Sequence, residues 1–423
     1  MTPAGGTTDL FWHLLLALTA VVVVGRLLGA LFRYIGQPPV IGEVVAGILL
    51  GPSLLGSVSP GAYAFLLPPS VAPSLGLLSQ LGVVLYMFLV GIELDTDGLK
   101  GRLRSTVGIS LTSIVVPFAL GLWLASALYS RLAPDGVPFL HFAIFMGVAM
   151  SITAFPVLAR ILADRQLTRT DLGQLALSCA AVGDVTAWCL LAFVVGVVKS
   201  SEGNALLTFV VTVAFIAFLF VVVQPLVVKL SRRWEREDPD RNVIAFALVA
   251  MMCSALITEA IGVHAIFGAF LLGAVIPHDS RLARVLDQRI ENLVTILLLP
   301  AFFAFAGMRT QIGLLSGWNE WITCVVIIVV ATAGKFGGAV LGARVTGLDW
   351  RYATGLGVLM NTRGLMELIV LNVGLDLGVI SPTLFTMLVI MALVTTMATT
   401  PALQWVFPGT AGGRASISPQ RVG

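Results

Sequence analysis

Residues 172–199 read LGQLALSCAAVGDVTAWCLLAFVVGVVK. One carboxylate, Asp184, stands near the middle of this run, and the only other charge, Lys199, closes its far end. A helix needs about 20 apolar residues to cross a hydrocarbon core about 30 Å thick. The stretch is therefore a membrane span with an acid near mid-depth. Insertion scales put a charge there at a cost of roughly 3 kcal/mol. Such an acid must hold a proton or face a compensating cation. A structural Asp neutralised by a neighbour is the plain alternative. Ionisable residues inside spans more often mark ion pathways and proton relays.

The rest of the composition agrees with a membrane chain. Of 423 residues, 58% are hydrophobic and 11% charged, against roughly 25% charged in soluble domains. Mean hydropathy is +0.99. The net charge of +3 does not point to nucleic acid, because the basic residues cluster between spans. Cys179, Cys189, Cys253 and Cys324 lie inside apolar runs without CxxC or Cys/His spacing, so neither a disulfide framework nor a zinc site is expected. No cofactor is expected, and no metal beyond a transported ion. The N-terminus, MTPAGGTTDLFW, has no basic region before its apolar run and reads as the start of the first span rather than a secretory signal.

Hydropathy divides the chain into about thirteen apolar spans: roughly 9–32, 38–56, 75–94, 105–130, 139–163, 172–198, 205–228, 242–260, 262–277, 290–308, 319–343, 352–375 and 380–406. Residues 1–8 read as an extracellular N-terminus, 9–407 as the transmembrane domain and 408–423 as a small, polar, disordered cytoplasmic tail. With the N-terminus outside, nineteen of the 25 Lys and Arg residues fall on the inner side, in clusters such as Lys100–Arg104, Lys229–Arg241 and Arg281–Arg289. Three (Arg131, Lys199 and Arg309) fall outside, and Arg26, Lys335 and Arg363 lie within spans. That asymmetry predicts an N-out, C-in orientation.

A faint internal repeat accompanies the spans. AGILLG at 46–51 in the second span returns as GAFLLG at 268–273 in the ninth. FLVGIELDTDGL at 88–99 in the third returns as FAFAGMRTQIGL at 303–314 in the tenth. Each pair is seven spans apart, an odd number, so the copies face opposite ways across the membrane. Six spans (9–198), a linker helix (205–228) and six more (242–406) would form an inverted repeat, an architecture of secondary transporters.

Two spans look broken. FAIFMGVAMSITAFPVLARIL at 142–162 holds Pro156 where a backbone donor is needed, with Ser151 and Thr153 able to satisfy freed groups. GLGVLMNTRGLMELIVLNVG at 355–374 carries Asn361, Thr362, Arg363 and Gly364 at its centre. Interrupted spans at corresponding positions of two repeats point to a transporter's site. The structural readings are a simple proline kink and a buried Arg363–Glu367 pair at i,i+4 spacing. Lys335 stands alone in ATAGKFGGAVLGA at 331–343 and needs a counter-ion, for which Asp184 is the candidate. Glu43, early in the second span, and the Arg363–Glu367 pair read as structural or gating groups. Gly338 and Gly342 form a GxxxG, a close-packing signal.

Several blocks in order resemble the monovalent cation:proton antiporter-2 family, which includes bacterial Kef-type and sodium/proton antiporters and plant cation/proton exchangers. They are QPPVIGEVVAGILLGPSLLG, LGVVLYMFLVGIELD, SITAFPVLARIL, GDVTAW, EAIGVHAIFGAFLLGAVIP, LLLPAFFAFAGMRT, GKFGG and LMNTRGLMELIVLNVG, within residues 10–407. The resemblance implies an all-α, thirteen-helix sodium/proton antiporter-like fold with a core domain, a dimerisation domain and two broken, crossing helices. It implies that Asp184 is the carrier carboxylate, that Thr153 and Ser151 lie beside it, and that Lys335 compensates its charge. It further implies a homodimer and an elevator-like movement of the core. Many electrogenic members carry two adjacent acids where this chain has Gly183-Asp184, so one carboxylate is missing.

The expectation is exchange of Na⁺ or K⁺ for H⁺ across a bacterial plasma membrane, with Asp184 binding either ion in turn. A Kef-like, ligand-gated potassium efflux system is the alternative, although no TVGYG-like filter is present. An intramembrane enzyme is disfavoured, since no HExxH or GxSxG occurs.

Overall fold

The structure, a computed structural model, describes residues 6–93, 103–168, 170–199, 205–231 and 239–407. Lys100, Arg102, Arg169, Arg232, Arg233, Arg236, Arg414, Arg421 and the C-terminal tail lie outside them. Every regular element among the described residues is a helix. In chain order the first nine are α1 (Gly6–Tyr34), α2 (Pro39–Leu50), α3 (Leu55–Val58), α4 (Pro60–Leu66), α5 (Val71–Glu93), α6 (Leu103–Leu132), α7 (Phe139–Ser151), α8 (Phe155–Asp164) and α9 (Asp171–Lys199). Next come α10 (Ala205–Phe218), α11 (Gln224–Ser231), α12 (Arg241–Ile261), α13 (Ala265–Ala274), α14 (Arg281–Leu293) and α15 (Leu299–Arg309). The last four are α16 (Trp318–Val345), α17 (Trp350–Met360), α18 (Leu365–Asp376) and α19 (Pro382–Val406). π-helical turns at Leu219–Val223 and Val294–Leu298 join α10 to α11 and α14 to α15.

Eleven helical stretches among the described residues are long and apolar enough to cross a membrane, rather than thirteen. The physical reason for the difference is local. The apolar run 262–277 forms only the ten residues of α13. The run 352–375 is cut into α17 and α18, neither of which spans alone. Helix starts follow their caps: the side chains of Asp240, Ser280, Asp349 and Ser381 each accept a first-turn amide.

The chain divides into two units. The first comprises Met1–Leu28, Gly42–Thr96 and Trp188–Ile312. Within it α2 packs on α15 and α13 on α5, both through glycines. A Cβ added to Gly47 would lie 2.6 Å from the Ala304 Cα, and one added to Gly273 would lie 3.0 Å from the Gly91 Cα. Ala17, Val71, Leu75 and Ala301 form its fully buried apolar centre.

The second unit comprises Gly29–Ile41, Asp97–Ala187 and Gly313–Gly423. Its core gathers Ile109 of α6, Leu158 and Leu162 of α8, Leu172 and Cys179 of α9, Ala339 of α16 and Leu356 of α17. α16 lies close against α6 because its facing residues are glycines: a Cβ on Gly338 would sit 2.6 Å from the Thr112 carbonyl oxygen, and one on Gly342 2.8 Å from the Ile109 Cα. This approach brings Lys335 of α16, itself fully buried, to the α6 backbone.

Candidate functional site

The site is built from two helices that stop and restart. α7 ends at Ser151, residues 152–154 are extended, and α8 begins at Phe155. Pro156 sits in the first turn of α8, where no backbone donor is required. The span is thus interrupted rather than kinked. α17 ends at Met360, residues 361–364 are non-helical, and α18 begins at Leu365. Gly364 allows the second break to approach α8, since a Cβ there would lie 2.7 Å from Val157 Cγ2.

The two breaks meet. The Ala154 amide donates to the Thr362 carbonyl at 3.0 Å, and the Thr153 hydroxyl donates to the Met360 carbonyl at 3.2 Å. The carbonyls of Ala149 and Met150 at the end of α7 lose their helical partners at the break. The Arg363 guanidinium takes both, at 2.8 Å each. It also pairs with Glu367 at 2.8 Å, with both side chains fully buried. The Ser151 carbonyl accepts from Lys335 Nζ, which donates also to the Ser113 carbonyl at 3.0 Å. Thus the C-terminal, partially negative end of α7 is met by two cations.

Asp184 stands at the opposite pole. It lies on α9, 4% exposed, and neither carboxylate oxygen has a hydrogen-bond partner. The favourable groups acting on it are the Phe155 amide at the N-terminal, partially positive end of α8 and, through space, the Lys335 ammonium. Asp184, Lys335, Arg363 and Glu367 are the fully buried charged side chains among the described residues. Of these, Asp184 makes no hydrogen bond or ion pair to another side chain.

Asp184, Lys335, Ser151, Thr153, Arg363 and Glu367 therefore belong to one unit and share one locality. Glu43 does not. It lies half-buried on α2 in the other unit, where the charge of Arg26 acts on it. Ser151 turns its hydroxyl back to the Val148 carbonyl at 2.9 Å, so its carbonyl rather than its side chain meets Lys335. Two contributors had no distinct sequence signal. Ser113 acts through its backbone carbonyl, and Phe155 through its amide. A third, Thr396 of α19, whose hydroxyl oxygen accepts from the Arg363 amide at 3.1 Å, lies in the run TTMATT, where four hydroxyls in an apolar span were a visible polar stripe.

Comparison with known proteins places this architecture. The family described as "Sodium/hydrogen exchanger, transmembrane" matches residues 15–407. The chain belongs to this family. It is 43% identical over 403 residues to the Na(+)/H(+) antiporter NhaS4 of Synechocystis sp., covering 94% of this chain and 98% of that protein. Cation/H(+) antiporter 17 of Arabidopsis thaliana is 41% identical, and K(+)/H(+) antiporter 1 of Saccharomyces cerevisiae is 36% identical. The chain covers only 48% and 47% of those two proteins, about half the length of each. Among solved structures, the sodium proton antiporter MjNhaP1 of Methanocaldococcus jannaschii matches with a TM-score of 0.69 at 13% identity, over 95% of this chain and all of that one. The fold of the family member described here is thus that of a sodium/proton antiporter.

Proposed function

We propose that the chain exchanges a monovalent cation, Na⁺ or K⁺, for H⁺ by alternating access, with proton and cation competing for Asp184. The observation that carries this reading is the buried Asp184 carboxylate, which has no side-chain partner and is faced by the Phe155 amide where α8 restarts after the first break. A lone carboxylate in that setting gains from a proton or from a dehydrated cation, and cannot hold both. The Thr153 and Ser151 hydroxyls spend their hydrogens on backbone carbonyls, so their oxygens keep lone pairs for a cation. Lys335 is the compensating charge when Asp184 is empty. Arg363 and Glu367 brace the crossing. Sequence similarity to antiporters of both Na⁺ and K⁺ supports the cation class.

The same reading takes 9–198 and 242–406 as two inverted repeats around the 205–228 linker. The packing of α2 on α15 and of α13 on α5 supports it, because corresponding elements pair reciprocally. It also takes the chain as a homodimer in a bacterial plasma membrane, N-terminus out, on the basic-residue asymmetry and the family resemblance. The test is exchange in proteoliposomes with a preset pH gradient. Wild-type protein should dissipate the gradient on addition of Na⁺ or K⁺, and Asp184→Asn should not, while remaining folded. Full exchange by Asp184→Asn would sink the assignment.

A further inference from the structure

α19 carries LVTTMATTPAL at residues 393–403, and Thr395, Thr396, Thr399 and Thr400 are all buried. Buried threonines in helices usually bond back to their own backbone. Thr395 does so, to Met391 at 2.8 Å, and Thr399 to Thr395 at 3.1 Å. Thr396 does something more. Its oxygen accepts from the Arg363 amide at 3.1 Å. Its hydroxyl lies 2.8 Å from the Arg363 carbonyl and 2.7 Å from the Ala392 carbonyl of its own helix. A hydroxyl has one hydrogen, so that hydrogen is shared between α19 and the broken segment. One turn on, the Thr399 and Thr362 hydroxyls are 3.4 Å apart.

These contacts fall on the residues that lock the crossing. Arg363 caps the α7 carbonyls, and Thr362 takes the Ala154 amide. Ala154 in turn sets where α8 begins, and hence where the Phe155 amide faces Asp184. Thr396 touches none of the site's charged side chains. An unwound backbone buried away from water must find partners for its amides and carbonyls, and Thr396 serves both groups of one residue.

We infer that Thr396, backed by Thr399, is a positioning residue for the cation site: its hydroxyl holds the Arg363 backbone in the register that fixes the two breaks against each other. This rests on the reading that the cation binds at that crossing. The experiment titrates Na⁺ and K⁺ in the proteoliposome exchange assay for wild type, Thr396→Val, Thr396→Ala, Thr396→Ser and Thr399→Val. Thr396→Val keeps the shape and removes the hydroxyl. It should raise the half-saturating cation concentration roughly tenfold, the factor equivalent to about 1.4 kcal/mol, with the maximal rate close to wild type. Thr396→Ser should restore wild-type affinity within about twofold. Thr396→Ala should follow Thr396→Val, which guards against a misfolded Val variant.

Cation-dependent thermal stabilisation of purified protein provides a readout without flux. The same tenfold displacement there supports the inference even if wild type shows no exchange, an outcome that would strike the antiport reading alone. Equal cation responses in Thr396→Val and wild type would overturn the inference. So would a Thr396→Ser variant as impaired as Thr396→Val, since bulk rather than the hydroxyl would then be responsible.

Discussion

Lys335 and Asp184 illustrate how charges at the single-residue scale are held apart yet coupled. The ammonium is taken by the Ser113 and Ser151 carbonyls, and Asp184 makes no direct ion pair with it. A direct ion pair would leave the carboxylate less available to an incoming ion. The Lys335 ammonium instead acts on Asp184 through space. Lys335→Ala is therefore expected to shift the pH of half-maximal exchange, measured as cation-driven flux across a pH series. An unchanged profile would show that Lys335 does not act on Asp184. Both residues were legible in the sequence, because a lone charge in an apolar run stands out. Their separation was not, because the ligands of Lys335 are backbone carbonyls, which every residue has. The Arg363–Glu367 pair could be read from its i,i+4 spacing. The hold of Arg363 on Ala149 and Met150 could not, since those carbonyls become available only through a break in another helix.

Among the elements, the interrupted spans depend on close helix packing. Pro156 marked the first break, but its place in the first turn of α8 shows that the chain stops before it. The second break carries no proline, only Asn361–Gly364, and its position depends on Gly364 meeting Val157. Hydropathy counted thirteen spans because it registers apolar length, and α17 with α18 has that length without helical continuity. The contact of α16 with α6 decides whether Lys335 reaches the α6 backbone. Gly338→Ala drives a methyl group into the Thr112 carbonyl, 2.6 Å away, and should cost about 1–3 kcal/mol. Gly337→Ala is the control one residue away: nothing lies within 4 Å of its Cβ, and alanine favours the helix by about 1 kcal/mol. Thermal unfolding in detergent should therefore fall for the first variant and hold or rise for the second. Equal melting temperatures would mean that α16 does not depend on this approach.

For the molecule as a whole, the proposed exchange makes the buried charges decide what each half-cycle would carry. Asp184 and Glu367 are balanced by Lys335 and Arg363 among the fully buried side chains. Counted with Lys335 and Arg363 charged and Asp184 and Glu367 ionised, the four sum to zero, and on the proposed reading a bound proton or a bound Na⁺ or K⁺ would add one positive charge either way. Gly183 contributes no second acid, although its Cβ position is open, with nothing within 4 Å. Each complete turnover should then move one charge inward and one outward, and exchange should be electrically neutral. The measurement is cation-driven proton flux in proteoliposomes held at different potentials by a potassium–valinomycin clamp, with Na⁺ as substrate. The expected rate is independent of potential. A rate that rises with potential would require a second group to change protonation during the cycle. Lys335 is the buried candidate, because Glu367 is bound to Arg363 while Lys335 rests on neutral carbonyls. The clamp would then be repeated on Lys335→Ala. Loss of the voltage response in that variant would assign the extra charge to Lys335, and its persistence would exclude that residue.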